Sequence, residues 1–289
     1  MPVYRLSDTD DPEERLEDAC MAKALRDEWG DELTILPPDA AAPDGKVPWG
    51  RLRRSERPVP PSFPYWDDPG FLATCGRRVE VGDLDRARAV VGEIHARGAD
   101  AFAKAARDKY WCGHVPLGTT LADALGDVAI GVAGHGIDLI VQERLTMTHE
   151  RRFLFVGGLL VTSSPVAWHL TPLDRERLRA TDGFRTPRDP WEDVEREPDD
   201  APLETAWAAF DASPLDTICV DVARVDAGTD DERCVTVEFN PLEIGRTGLY
   251  ACDPRALARA TRRMPPASTI PRYGGVSDVA DQDEEDADL

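Results

Sequence analysis

Near the C-terminal end, the run VTVEFNPLE sets Glu238 and Asn240 two residues apart. Strand side chains repeat every two residues, so both project from one face, with Val237 and Phe239 on the other. A carboxylate beside an amide oxygen at a strand end, ahead of a proline, suits a hard cation that prefers oxygen ligands. The preceding run, ICVDVARVD, places Asp221 among Ile218, Val220 and Val222. An aspartate inside an apolar strand is costly unless it is paired or coordinated. If the two runs form a hairpin, Asp221 and Glu238 can share one magnesium ion. The plainer alternative is an aspartate capped by an arginine such as Arg224, with Glu238 at a strand edge.

Three further clusters carry possible chemistry. In HERRFLFVGG, Glu150 and Arg152 are two apart at the start of a strand, so the guanidinium can fork onto a phosphate while Glu150 orients it. Alone, that pair reads as a surface salt bridge. In FAKAARDKYW, Lys104 lies within a short strand and Lys109 just beyond it. Two ammonium groups converging on a triphosphate neutralise charge that builds during phosphoryl transfer, although such a pair also suits a solvated face. IDLIVQERL ends in Gln142 and Glu143. A strand leaving a core into a hinge can offer backbone groups to adenine and a carboxylate to ribose.

The elements that must position these residues follow from periodicity. Residues 1–30 read as an acidic helical region, and DELTILPP as a strand. Residues 36–70 are proline-rich and read as extended connection. DLDRARAVVGEIHARG has helical spacing and ends at glycine. TLADALGDVAIGVA reads as one helix, and IDLIVQERL as a buried strand. RRFLFVGGLLVTSSPVAW reads as a hairpin turning at Gly157-Gly158. LETAWAAFDAS is helical, two strands follow around AGTDDE, and DPRALARATRRM closes as a helix. Residues 172–203 read as loop or weak helix, and the acidic tail from Asp278 as disordered. The layout is α+β with antiparallel hairpins, distinct from the strand–helix alternation of a doubly wound sheet.

The chain has 289 residues and a net charge of −21, a field that repels nucleic acid. Only Lys23, Lys46, Lys104 and Lys109 are lysine, and two of these four stand five residues apart. No run approaches the ~18 apolar residues that span a bilayer, and the acidic N-terminus lacks a secretory pattern, so a cytoplasmic location is expected. The six cysteines are scattered and read as reduced thiols. The glycines of GVAGHG lack a phosphate-loop pattern and read as structural.

In their order along the chain these clusters resemble the divergent ATP-grasp clade named for one arginine and two lysines. The pieces are a lysine strand, an apolar strand ending in Gln-Glu, E-x-R opening a hairpin, an aspartate strand, and V-E-F-N-P-L followed by G-L-Y-A-C-D. The resemblance spans residues 100–260. It implies two α+β lobes with antiparallel sheets clasping ATP and Mg2+, preceded by a small N-terminal region. The expected division is 1–80 for that region, read as a reduced pre-ATP-grasp domain with a proline-rich connection, 81–265 for the ATP-grasp domain, and 266–289 for the tail. It implies Lys104 and Lys109 as phosphate ligands, Glu143 as the hinge carboxylate, and Glu150 and Arg152 as the E-x-R pair. The resemblance points to Arg152 as the named arginine, with Arg144, Arg151 and Arg224 as the alternatives, and implies Asp221, Glu238 and Asn240 as the metal ligands. Gly248 and Tyr250 follow the metal strand as structural residues, and HVPLGTT is a candidate lid. The implied activity is a ligase that activates a carboxylate as an acylphosphate for attack by an amine, on a small molecule, peptide or protein. The alternatives are an ATP-binding assembly factor for a protein partner and a degenerate domain without catalysis.

Overall fold

The computed structural model describes residues 2–7, 12–41, 43, 49–50, 64–106, 111–166, 200–242, 248–250 and 252–264. Lys109, the acidic 190–199 segment and the C-terminal tail lie outside the described residues. Three sheets organise the rest.

A small parallel sheet comes first, with β1 (Val3–Arg5) between β2 (Thr34–Leu36) and β3 (Trp49–Gly50). Helix α1 (Pro12–Trp29) buries Met21, Ala22, Ala24 and Leu25 together with Tyr4 of β1. The strand expected in DELTILPP is present as β2, but residues 1–30 also hold a strand ahead of the helix, and part of the proline-rich stretch supplies the third strand. Trp29 Nε1 donates to Thr261 Oγ1 at 2.9 Å, tying α1 to the C-terminal turn.

The second sheet is antiparallel, in the order β4 (Val79–Gly82), β7 (Leu139–Glu143), β5 (Ala101–Ala105) and β6 (Cys112–Val115). Asp83 caps α3 (Leu84–His95) by accepting from the Arg86 amide at 2.8 Å. Ala87, Val90, Val91 and Ile94 then form the helical stripe that covers one face of the sheet. Ala101, Ala103 and Ala105 meet that stripe, so alternation turns Phe102 and Lys104 to the opposite face. The single helix expected over 120–133 is two, α4 (Leu121–Leu125) and α5 (Val128–Gly134). Gly126 separates them at φ 52°, a conformation that breaks a helix and favours glycine.

The third sheet is also antiparallel, ordered β11 (Arg233–Asn240), β10 (Ile218–Val225), β8 (Met147–Val156) and β9 (Leu159–Pro165). The hairpins expected at Gly157-Gly158 and across residues 226–232 are both present. One face carries Phe153, Phe155, Val220, Val222 and Phe239 against α2 (Pro69–Thr74) and α6 (Ala201–Ala212). Phe155 stacks on Phe210 with ring centres 4.3 Å apart and meets Trp207 edge-on at 5.0 Å. Each such aromatic contributes roughly 1.5–3 kcal/mol by burial. The other face meets α1 and α7 (Pro254–Ala260) through Leu154, Cys219 and Leu257. By its packing, α2 belongs with this third sheet, although it falls within the N-terminal 80 residues.

Candidate active site

The charged residues converge where the second and third sheets approach each other. In the register, Asp221 on β10 lies opposite Glu238 on β11 and opposite Arg152 on β8. Arg152 forks onto Asp221, Nε to Oδ1 at 2.8 Å and Nη2 to Oδ2 at 2.7 Å. Its Nη1 donates to the Gly248 carbonyl at 2.7 Å, and the guanidinium stands 4.8 Å from the Tyr250 ring centre. The Asn240 amide donates to Asp221 Oδ2 at 3.0 Å and to Glu238 Oε1 at 3.1 Å. From the second sheet, Lys104 Nζ donates to Glu238 Oε2 at 2.9 Å and lies 4.8 Å from the Tyr65 ring centre. Lys104, Glu238, Asn240, Asp221 and Arg152 thus form one continuous polar chain across both sheets.

Simple alternation does not produce this arrangement. Val235 pairs with Ala223 and Thr236 with Val222, but Glu238 pairs with Asp221, so Val237 is an extra residue in β11. Such a bulge moves the alternation by one position. Before it, Val235 shares the side of Asp221; after it, Glu238 and Asn240 do. Val237 accordingly packs beside Val235, Ala223 and Val225, while Phe239 enters the aromatic core. The expectation that Val237 and Phe239 share a face is corrected by this bulge.

Burial works against every charge in the chain, and the partners decide which forms survive. It opposes ionisation of Glu238, but the charge and hydrogen bond of Lys104 outweigh it and hold the carboxyl at about 2. For Lys104, burial is overcome by Glu238 and Tyr65, which raise its pKa. For Arg152, burial is overcome by the hydrogen bond and charge of Asp221, again upward. Burial pushes the Asp221 carboxyl up, against the pull of Arg152. A two-bond fork with both carboxylate oxygens accepting requires the ionised acid, so the pair is an ion pair.

The remaining expected residues are placed as follows. Glu150 lies on β8, buried, two residues before Arg152. Arg224 pairs with Glu232, so the cation that Asp221 meets is Arg152. Arg151 stands 3.4 Å from Ser163 Oγ on β9. Glu143 ends β7 opposite Ala101, its carboxylate 3.9 Å from Arg97. By alternation it faces the α3 side, so the structure does not bring it to Lys104. The segment 114–120 is held at Asp100, which accepts from the Leu117 amide at 2.9 Å and pairs with His114 at 2.8 Å.

Sequence reasoning missed three contributors. Tyr65, under Lys104, sits in the proline-rich stretch and has no periodic signal. Glu17 on α1 accepts from the Leu249 amide at 3.1 Å and the Tyr250 amide at 2.7 Å, fixing the loop that meets Arg152. Arg77 lies between α2 and β4 and bridges the two larger sheets. The dipeptide Arg77-Arg78 ahead of a strand was the available signal, and it reads equally as surface charge.

No protein-family model and no curated protein sequence matches the chain. Solved structures do. D-cycloserine synthetase DcsG superposes with a TM-score of 0.53 at 17% identity, covering 90% of this chain and 98% of that one. An ATP-grasp RimK domain protein from Sphaerobacter thermophilus gives 0.51 at 14% identity, covering 92% and 100%. The fold is ATP-grasp. In that fold the polar chain described above lies between the two antiparallel sheets, where the lobes face each other. Among the described residues, no helix is long and apolar enough to cross a membrane.

Proposed function

We propose that this chain binds ATP with magnesium between its two antiparallel sheets and phosphorylates a carboxylate, giving an acylphosphate that an amine attacks. The observation that carries this reading is the polar chain from Lys104 to Arg152, which joins cations and oxygen donors across both lobes. We assign the chain to the ATP-grasp clade named for one arginine and two lysines, with Arg152 and Lys104 in those roles and Lys109 as the second lysine. Residues 1–80 are taken as a reduced pre-ATP-grasp domain whose last segment, from Tyr65, packs on the third sheet, 81–265 as the ATP-grasp domain and 266–289 as the tail.

The residues fit a magnesium ion by donor chemistry. Among the described residues no three His, Cys, Asp or Glu side chains are grouped to hold a metal, and the donors here are two carboxylates and one amide. Magnesium accepts a few carboxylate or amide oxygens and keeps several waters, so Asp221, Glu238 and Asn240 would hold it. Once bound, it supplies charge neutralisation between the phosphates. Lys104 would contribute a point charge to phosphate oxygens from the second sheet, and Arg152, its fork held by Asp221, its positive charge from the third. Their opposed placement orients the transferred group between lobes, and the buried carboxylates keep both cations protonated. Glu150 would orient Arg152, and Glu143, which ends β7 on the α3 side, is taken as the hinge carboxylate. The acceptor is a carboxylate on a small molecule, peptide or protein.

The test is chemical trapping. The protein is incubated with ATP, magnesium and a panel of carboxylates, with hydroxylamine as nucleophile. ADP and an acyl hydroxamate formed in equal amounts support an acylphosphate. ATP binding without ADP formation across amino acids, hydroxy acids and peptides would move the function to ATP-dependent assembly of a partner.

A further inference from the structure

The bulge that turns Glu238 towards Lys104 leaves backbone carbonyls pointing out of the ladder, and one side chain collects them. Arg77 Nη1 donates to the Thr236 carbonyl at 2.8 Å, and Nη2 to the Val237 carbonyl at 2.7 Å. Nη1 also bonds the Cys75 carbonyl at 2.9 Å, while Nε donates to Gln142 Oε1 at 3.0 Å. Gln142 is the penultimate residue of β7, which pairs with β5 and faces Phe102 in the register. One guanidinium therefore spans the bulge before Glu238 and the strand beside Lys104. The segment that carries it is fitted to β11. Thr74 Oγ1 lies 2.7 Å from Thr236 Oγ1, and Gly76, at φ +59°, approaches so closely that a Cβ there would stand 2.6 Å from Val235 Cγ1.

We infer that Arg77 is a positioning residue for the metal and nucleotide site: it holds the Val237 bulge in place and couples it to β7, so that Glu238 faces Lys104 and Asp221. A bulged strand exposes carbonyls that the ladder leaves unpaired, and an unpaired buried carbonyl is costly. A planar fork answers two adjacent carbonyls at once, which a lysine ammonium does not do with the same geometry. Arg77 touches no reacting group, so it acts through Glu238. The inference rests on the proposed role of Glu238 as a magnesium ligand.

The experiment measures ATP binding by calorimetry with magnesium and again with EDTA, for wild type, R77M and R77K. Loss of a residue that orients a metal ligand costs roughly 10–100-fold in metal affinity, so R77M should weaken magnesium-dependent binding about tenfold or more and EDTA binding less than about threefold. R77K, keeping the charge without the fork, should fall between R77M and wild type. Equal losses with and without magnesium, or no loss at all, would overturn the inference. If R77M does not fold, R77K and Q142A are judged by the same comparison. Hydrogen exchange separates failure of the functional reading from failure of this one. Should wild type bind no ATP, Arg77 still stands if R77M speeds exchange selectively at residues 235–240 and 139–143. Uniform or unchanged exchange would then refute it.

Discussion

Replacing Asp221 by asparagine (D221N) removes one charge from a pair that is almost wholly out of water, with side-chain exposures of 1% for Asp221 and 8% for Arg152. The guanidinium would then stay buried beside a neutral amide. Breaking a buried pair in this way costs about 3–5 kcal/mol, mostly the penalty of the charge left behind. For a chain of this size 1 kcal/mol moves the midpoint by roughly 2–4 °C, so the lower figure corresponds to roughly 6–12 °C. Replacing both partners, in D221L with R152M, removes both desolvation penalties and should recover most of that loss. The assay is thermal and urea unfolding followed by circular dichroism for wild type, D221N and the double variant. A D221N variant within about 1 kcal/mol of wild type would behave like an exposed pair and refute the buried geometry. A double variant no more stable than D221N would refute the explanation by an orphaned charge. If the pair belongs to the proposed nucleotide site, the double variant should also lose magnesium-dependent ATP binding despite its stability.

Gly70 in α2 approaches α6 so closely that a Cβ would collide with the Ala209 carbonyl oxygen. G70A should therefore destabilise by about 1–3 kcal/mol, read as a lower urea midpoint with unchanged slope. The Leu117 amide, and then His114, hold the Asp100 carboxyl below its ordinary 3.8. Its stability contribution is present above about pH 3.8 and is lost as pH falls further, so D100N should flatten the stability profile in that acid window. K104M removes the proposed charge-assisted contact to phosphate and should weaken ATP binding about tenfold or more, measured by calorimetry.

Much of this was legible because strand alternation and turn chemistry are local. The runs around Asp221 and Glu238 are apolar, of strand length and separated by a turn-forming segment, so their pairing followed from sequence. The cation partner of Asp221 did not follow, because Arg152 and Arg224 are equivalent in sequence and only the β8–β10 register separates them. The Val237 bulge left no signal either; VTVEFN has unbroken strand propensity, and the extra residue is fixed by Arg77 from a distant segment. Likewise α2 looked like part of a connection, since its capping Asp68 and its contacts with α6 depend on tertiary packing. Glu143 went to the α3 side for the reason that placed Lys104 in the site: β5 and β7 alternate in register, and Ala101 opposite Glu143 faces the helices.

The most direct measurement is unfolding of wild type and E238A with ATP, with and without magnesium. A ligand at 100 times its dissociation constant that binds only the folded state adds about 2.7 kcal/mol, a rise of roughly 5–11 °C here. Wild type should show that rise with magnesium and a smaller one with EDTA, and E238A should show no difference between the two conditions. No rise at millimolar ATP, or an equal magnesium-dependent rise in E238A, would contradict the proposed site.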